Sequence, residues 1–217
     1  MSDKAEITVA IPTYKRNDLL LKTLNCLKNQ TYKNITVYVS NNSQEIKDIE
    51  EIDKIKKKME KENFHFHLIH QKTNIGAINN LLFLLSLSKT KYFMWLCDDD
   101  EISTKCIEIL YNDMENHNDA ISVTPYWAHL IKENDFLLKK PNVYISNFKI
   151  LRIINFLYKA DDAFFYALHK TEVLKKCKYY NFWSINKNII NWAYPFLFQL
   201  MINGKVLLAS SKEAVWY

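Results

Sequence analysis

The stretch that decides the fold is Trp95-Leu96-Cys97-Asp98-Asp99-Asp100-Glu101. An aromatic and apolar run, Tyr92-Phe93-Met94-Trp95-Leu96, reads as a buried strand, and it empties into three consecutive carboxylates. Adjacent aspartates repel one another and are depleted from strands, so folding alone does not call for them. A hard divalent cation held by one or two carboxylates together with a substrate's phosphates would offset the repulsion. In open α/β sheets ligands bind just beyond the carboxyl ends of the strands, where these aspartates fall. The plain alternative is an acidic turn capping a helix that starts near Ser103.

Working back toward the amino terminus, Ile7-Thr8-Val9-Ala10-Ile11 is a short strand closed by Pro12, followed by the polar loop Thr13-Tyr14-Lys15-Arg16-Asn17. Asn17 suits a helix cap, and Leu20, Leu24 and Leu27 share one face of the helix behind it. A second strand, Ile35 to Val39, ends in Ser40-Asn41-Asn42-Ser43, and a charged helix spans about Gln44 to Lys61. A third strand, Phe64 to Ile69, leads into Lys72-Thr73-Asn74-Ile75-Gly76, and Ile78, Leu81, Leu82 and Leu85 mark the next helix. Strand and helix in strict alternation specify a Rossmann-like, doubly wound, mostly parallel sheet. Every polar loop named so far follows a strand, so all of them gather on one edge.

Beyond Ser103 the pattern loosens. A helix to about His117, a strand from Ala120 to Thr124 and an irregular or hairpin segment from Pro125 to Asn147 come next. A helix over about Phe148 to Tyr158 precedes Ala160-Asp161-Asp162 and a strand from Ala163 to Leu168. After a helix following Lys170, another from about Tyr194 to Asn203 stops at Gly204, and Val206 to Ala209 forms a late strand. Gly occurs only twice in the 217 residues, at Gly76 and Gly204, so both are expected where backbone geometry demands them.

Composition narrows the class. Hydrophobic residues make up 48% and charged residues 24%, the balance of a globular protein, and 217 residues make one domain, or one with a small annex. The net charge of +5 is mild, and the densest basic run, Lys54 to Lys58, alternates with glutamates at helical spacing. That run is a solvated helix face, which argues against a nucleic-acid partner. Cys26, Cys97, Cys106 and Cys177 lack metal or disulfide spacing and read as reduced thiols. Met1-Ser2-Asp3-Lys4 carries no apolar signal region, and no apolar run reaches the ~20 residues of a membrane span. The expected location is cytoplasmic, and the basic, aromatic carboxyl-terminal third leaves peripheral contact with the inner membrane face open. His65 and His67 alternate onto one solvent-facing side and lack partners with metal spacing. Trp127, Phe136, Trp183, Trp192 and Trp216 read mainly as core.

The chain resembles the family 2 glycosyltransferases, which have the GT-A fold. The residues that carry the resemblance are Val9 to Arg16, Asn29-Gln30-Thr31-Tyr32, Val39 to Ser43, Asn74-Ile75-Gly76 and Leu96 to Asp100, in register across residues 6–105. Tyr166 to Leu174 and Asn203 to Val206 are similar in a looser way. The resemblance implies one domain over residues 1–217, with a nucleotide-sugar-binding half at 6–105 and a less regular acceptor-side half at 106–217. It implies a nucleotide site made of Pro12, Thr13, Tyr14, Arg16, Asn41, Asn74, Gly76 and Asp98, with Asn41 reading the base edge. Asp98, Asp99 and Asp100 would hold Mn²⁺ or Mg²⁺ against the diphosphate.

The implied reaction is metal-dependent, inverting transfer of a sugar from a nucleoside-diphosphate sugar to a hydroxyl of a glycan or lipid-linked acceptor. The SNNS and DDD variants look most like bacterial enzymes of surface-polysaccharide synthesis. UDP heads the donors, but the family's usual aspartate is replaced by Asn41, which can donate as well as accept, so other bases stay open. The family's acidic pair before the last helix is replaced by amides in Asn186 to Trp192, which leaves Asp161 and Asp162 as nominees for the catalytic base. Their plain alternative is an exposed turn. Two other classes stay in view: a catalytically degenerate nucleotide-sugar-binding module, and a nucleotidyltransferase, which would need a glycine-rich loop that Pro12 to Arg16 lacks.

Overall fold

The computed structural model describes residues 5–132, 135–159, 162–178 and 193–217. Its centre is a sheet of order β3-β2-β1-β4-β8-β5-β9. The strands are β1 (Ile7–Thr13), β2 (Ile35–Asn41), β3 (His67–His70), β4 (Tyr92–Trp95), β5 (Ala120–Thr124), β8 (Leu168–Lys170) and β9 (Lys205–Leu208). β1 pairs in parallel with both β2 and β4, β2 with β3, and β5 with β9. Only β8 runs antiparallel, between β4 and β5. The doubly wound, mostly parallel sheet expected from the alternation is present.

Strand alternation builds two cores. Ile7, Val9 and Ile11 of β1 and Tyr92 and Met94 of β4 face the first. There they meet Leu20, Leu24 and Leu27 of α1 (Asn17–Lys28), Ile52 and Met59 of α2 (Ile46–Lys61), and Ile107 and Leu110 of α4 (Cys106–Asn116). Ala10, Phe93 and Trp95 face the second, with Leu81, Leu84 and Leu85 of α3 (Ala77–Leu87) and Phe196, Leu197, Leu200 and Met201 of α7 (Ala193–Asn203). Trp95 is its hub: it stacks on Phe165 at 4.3 Å, and its indole N–H donates to the Leu81 carbonyl at 3.1 Å.

The segment 125–147 contains the hairpin β6 (Tyr126–Lys132) and β7 (Asp135–Lys139), which forms a small second sheet with β10 (Val215–Trp216). α5 (Lys149–Tyr158) and the short α6 (Thr171–Lys176) complete the described elements.

Several expectations need correction. Asn17 is the first residue of α1 rather than its cap; Arg16 occupies the cap position without a side-chain hydrogen bond, and the Asn17 amide donates to Glu51 at 3.0 Å. The strand expected over Ala163 to Leu168 is a 3₁₀ turn, Ala163–Tyr166, with the strand following at Leu168–Lys170. A short, fully apolar run has no periodicity with which to separate the two. α7 does stop at Gly204, as expected, but without a left-handed φ there. The residue is small because a Cβ there would lie 2.4 Å from the Ile121 Cγ2 and 3.2 Å from the Asp119 carbonyl oxygen. Gly76 does hold the backbone angle only glycine tolerates, φ 81° and ψ 158° at the start of α3.

Candidate functional site

The carboxyl ends of β1, β2 and β4 open onto a cleft of about 480 Å³. Pro12, Thr13, Tyr14, Arg16, Asn74, Gly76 and Asp98 all line it, so seven of the eight nucleotide-site residues expected from sequence come together. Asn42, Ala77, Asn80, Cys97 and Tyr166 complete much of the wall.

Asn41 does not face the cleft. It is fully buried; its amide oxygen accepts from the Ser43 N–H at 2.9 Å, and its amide nitrogen lies 3.1 Å from His70 Nδ1. Asn42, the first residue past β2, lines the wall in its stead. Its amide donates to Asn74 Oδ1 at 2.9 Å and its oxygen accepts from the Ile75 N–H at 2.9 Å. Asn74 Oδ1 also accepts from the Gly76 N–H at 2.9 Å. This clasp presents the first turn of α3 to the cleft, where free backbone N–H groups favour an anion.

The acidic turn is positioned from outside itself. α1 offers Thr23 and Cys26, three residues apart and hence on one face, and Gln30 follows just past its end. The Thr23 hydroxyl lies 3.0 Å from the Asp98 carbonyl and 2.9 Å from the Asp100 carbonyl. Cys26 Sγ donates to the Ile102 carbonyl at 2.9 Å and accepts from the Ile102 N–H at 3.2 Å. Gln30 donates to the Ser103 carbonyl at 2.9 Å and accepts from the Ile107 N–H at 3.2 Å. On the other side the carboxyl-terminal strand runs alongside, with the Tyr217 N–H donating to the Glu101 carbonyl at 2.7 Å and the Ser103 N–H to the Val215 carbonyl at 2.9 Å.

Charge is handled by Arg16, which spans two aspartates. Its Nη1 lies 2.6 Å from Asp99 Oδ2 and its Nη2 2.8 Å from Asp98 Oδ1. Asp98 is fully buried, and burial pushes its carboxyl upward. The Thr13 hydroxyl, the Arg16 charge and the Tyr14 backbone N–H oppose that rise. Asp98 Oδ1 has the Arg16 guanidinium at 2.8 Å, but among the described residues no donor meets either carboxylate oxygen in hydrogen-bond alignment. Burial also raises Asp100, to about 6; the Trp216 indole hydrogen bond opposes this and the neighbouring Asp99 charge adds to it.

A cation fits this turn. Asp99, Asp100 and Cys97 can bring one ligand atom each to within 4.8 Å of the others. The Cys97 thiol, pushed up to about 12 chiefly by burial, stays protonated and is a poor partner for a hard ion, so the carboxylates are the useful donors. Asp98 points inward toward Thr13 and lies outside that cluster.

Besides wall residues such as Asn42, Ala77 and Asn80, sequence reasoning did not single out Tyr166 and Trp216 for the site. Tyr166 lines the cleft with its hydroxyl 3.5 Å from Cys97 Sγ, and burial raises its phenol. Trp216 contacts Asp100 and packs on Tyr166 at 4.8 Å between ring centroids. Asp162 is exposed just before the 3₁₀ turn that carries Tyr166, close enough for its charge to be felt by the Tyr166 hydroxyl. Asp161 and the amides from Asn186 to Trp192 lie outside the described residues, as does Trp183. His67 is exposed and stacks on Tyr38 at 4.7 Å.

The Glycosyl transferase family 2 profile matches residues 8–178. An uncharacterized glycosyltransferase of Haemophilus influenzae is 26% identical over 132 residues, covering 59% of this chain and 38% of the relative. One from Rickettsia bellii is 31% identical over 122 residues, covering 56% of this chain and 17% of the relative. The chain therefore spans well under half of either curated relative. Among solved structures, S. aureus TarS 1-349 aligns with a TM-score of 0.65 at 14% identity, over 95% of this chain and 58% of that one. The mannosyltransferase PcManGT of Pyrobaculum calidifontis, in complex with GDP-Man and Mn²⁺, aligns with a TM-score of 0.61 at 12% identity, over 99% and 57%. TarS 1-349 has also been solved with UDP-GlcNAc. Both neighbours share this GT-A architecture.

Proposed function

The chain belongs to glycosyl transferase family 2, and from that premise we propose that it is a metal-dependent, inverting transferase. It moves a sugar from a nucleoside-diphosphate sugar to a hydroxyl of a glycan or lipid-linked acceptor, in the synthesis of a bacterial surface polysaccharide. The observation that carries this reading is the single cleft that gathers seven of the eight expected nucleotide residues beside the three aspartates. The donors present in the neighbours' structures, UDP-GlcNAc and GDP-Man, support a nucleotide sugar in that cleft.

In this reading Tyr14, 44% exposed at the rim, covers a base face. Asn42 and Asn74 set the floor, and the first turn of α3 at Gly76 faces the diphosphate. Asp99 and Asp100 would hold Mn²⁺ or Mg²⁺, which would supply positive charge to neutralise a departing nucleoside diphosphate. Buried Asp98 anchors Arg16 and the loop after β1. Arg16 turns part of its fork from carboxylate to phosphate, a group it matches in the same bidentate way. Asp162 takes the proton of the attacking hydroxyl.

The test is a thermal-shift panel with UDP, GDP, CDP, TDP and their sugars, each with Mn²⁺ and with EDTA, on the wild type and on Asp100→Asn. A ligand at ~100 times its Kd stabilises a fold by about 2.7 kcal/mol. One base should stabilise the wild type only with metal, and Asp100→Asn should lose that increment. Absence of any nucleotide effect on the wild type refutes the reading; binding without turnover of the sugar moves it to the degenerate module.

A further inference from the structure

α5 is amphipathic the wrong way round. Its one arginine points inward: Arg152 is 6% exposed, with Nε donating to the Met201 carbonyl at 2.9 Å and Nη1 to the Ser146 carbonyl at 2.8 Å. Five large apolar side chains point outward instead. Ile150, Leu151, Ile154, Leu157 and Tyr158 are all exposed, Leu157 at 67% and Tyr158 at 85%. At 100° per residue they fall within about 120° of the helix circumference, one continuous stripe. Phe148, 70% exposed, extends the stripe beyond the helix start. Single exposed apolar residues need no explanation, but a continuous stripe on a helix that turns its arginine inward does.

Its electrostatic frame selects the occupant. From Phe136 to Lys159 the sequence contains no aspartate or glutamate. Lys139, Lys140, Lys149 and Lys159 are exposed, and among the described residues none of them forms an ion pair. Asn142 donates to the Lys159 carbonyl at 3.0 Å, which brings the loop after Lys140 to the end of α5. Lys149 precedes the stripe and Lys159 follows it, and an apolar stripe flanked at both ends by exposed lysines is complementary to an anionic lipid surface. It is not complementary to itself: a two-fold contact through α5 would set these lysines against their own copies.

We propose that the outer face of α5 docks on an anionic lipid bilayer, with Ile150, Ile154 and Leu157 entering the acyl boundary and the lysines meeting the headgroups. The inner face of α5 packs through Phe156 on Phe164, at 6.0 Å between ring centroids. Phe164 belongs to the same 3₁₀ turn that carries Tyr166 to the cleft. A bilayer-held α5 therefore sits one layer of side chains from the cleft wall, a suitable place for an acceptor carried on a lipid. The docking itself does not rest on glycosyl transfer and is read without turnover.

The experiment is co-sedimentation of the full chain with vesicles of phosphatidylcholine alone and of phosphatidylcholine with phosphatidylglycerol, at low and high salt. The wild type should pellet with the anionic vesicles and be released by salt. Ile154→Asp with Leu157→Asp should abolish pelleting, and both sites are exposed, so the unfolding midpoint should hold. Lys149→Ala with Lys159→Ala should weaken binding by about fivefold per lysine at low salt. The proposal is overturned if the wild type ignores anionic vesicles or binds neutral ones equally well. It is also overturned if the aspartate pair leaves binding intact, or if the wild type is a dimer which that pair returns to monomer.

Discussion

Asp100→Asn should stabilise the cation-free protein at neutral pH, even though Asp100 belongs to the proposed cation site. Burial raises the Asp100 carboxyl from 3.8 to about 6, so between those values the folded chain binds its proton more tightly than the unfolded chain does. Stability contributed at this position therefore falls as the pH rises through that window, and the full deficit is present above about 6. At 1.36 kcal/mol per pH unit the deficit is about 3 kcal/mol, and an asparagine, which does not titrate but still accepts from the Trp216 indole, removes it. For a chain of this size that is a Tm higher by about 6–12 °C at pH 8. The assay is the difference in Tm between variant and wild type in EDTA, at pH 8 and pH 4.5. Taking the difference matters because buried His169, lowered to about 4, makes both proteins lose stability in acid. The variant's advantage should shrink to about a third, about 1 kcal/mol, at pH 4.5. A variant no more stable than the wild type at pH 8, or an advantage independent of pH, refutes the electrostatic account of this turn.

Three further outcomes follow from the same geometry. Arg16→Gln leaves buried Asp98 and half-exposed Asp99 without their shared counter-charge. It should cost about 1–2 kcal/mol in EDTA, between the values for exposed and buried pairs, and Mn²⁺ should restore part of the loss in a denaturant titration. Gly204→Ala should cost about 1–3 kcal/mol through overpacking on Ile121, whereas Gly76→Ala should cost a similar amount through backbone strain with open space around it. A double-mutant cycle with Ile121→Ala should relieve only the first. His169 Nε2–H donates to the Phe165 carbonyl at 3.0 Å and Nδ1 accepts from the Ser122 hydroxyl at 2.6 Å, fixing a neutral tautomer. Because its pKa is depressed from 6.5 to about 4, folding stability should fall by about 3 kcal/mol as the pH drops from 6.5 to 4, and unfolding curves for His169→Gln should lack that slope.

The parallel half of the sheet was legible because its signals are local. β1 and β4 are buried on both faces, read as apolar runs, and empty into polar loops that must share an edge. What was not legible depends on position rather than type. Asn41 and Asn42 are chemically identical, and only the last rung of the β1–β2 ladder, Thr13 opposite Asn41, decides which faces His70 and which faces the cleft. Trp216 reaches Asp100 through an isolated bridge to Ile102, a pairing across more than half the chain that no local window contains. Ala163-Phe164-Phe165-Tyr166 has the composition of a strand, and it turns because Trp95 takes Phe165 as a stacking partner while Phe164 packs against Tyr144.

The acidic turn, which the sequence presents as a cost, is organised so that the backbone and the charges are handled separately. Within residues 98–107 the side chains of Thr23, Cys26 and Gln30 bind main-chain atoms, so α1 and the residues just past it fix the turn's path without touching a carboxylate. Their roles could not be read from the amphipathic pattern of α1, because two of them are short side chains on the face where the pattern expects only packing. Arg16, at the cap of the same helix, handles charge and almost nothing else. It is half exposed on a loop where Lys15 has a positive φ of 56°, so it can leave without unfolding the turn beneath it. In the proposed reading a cation arriving with a diphosphate would find its ligands already ordered, and would have only to displace one guanidinium, which the incoming phosphate is itself suited to receive.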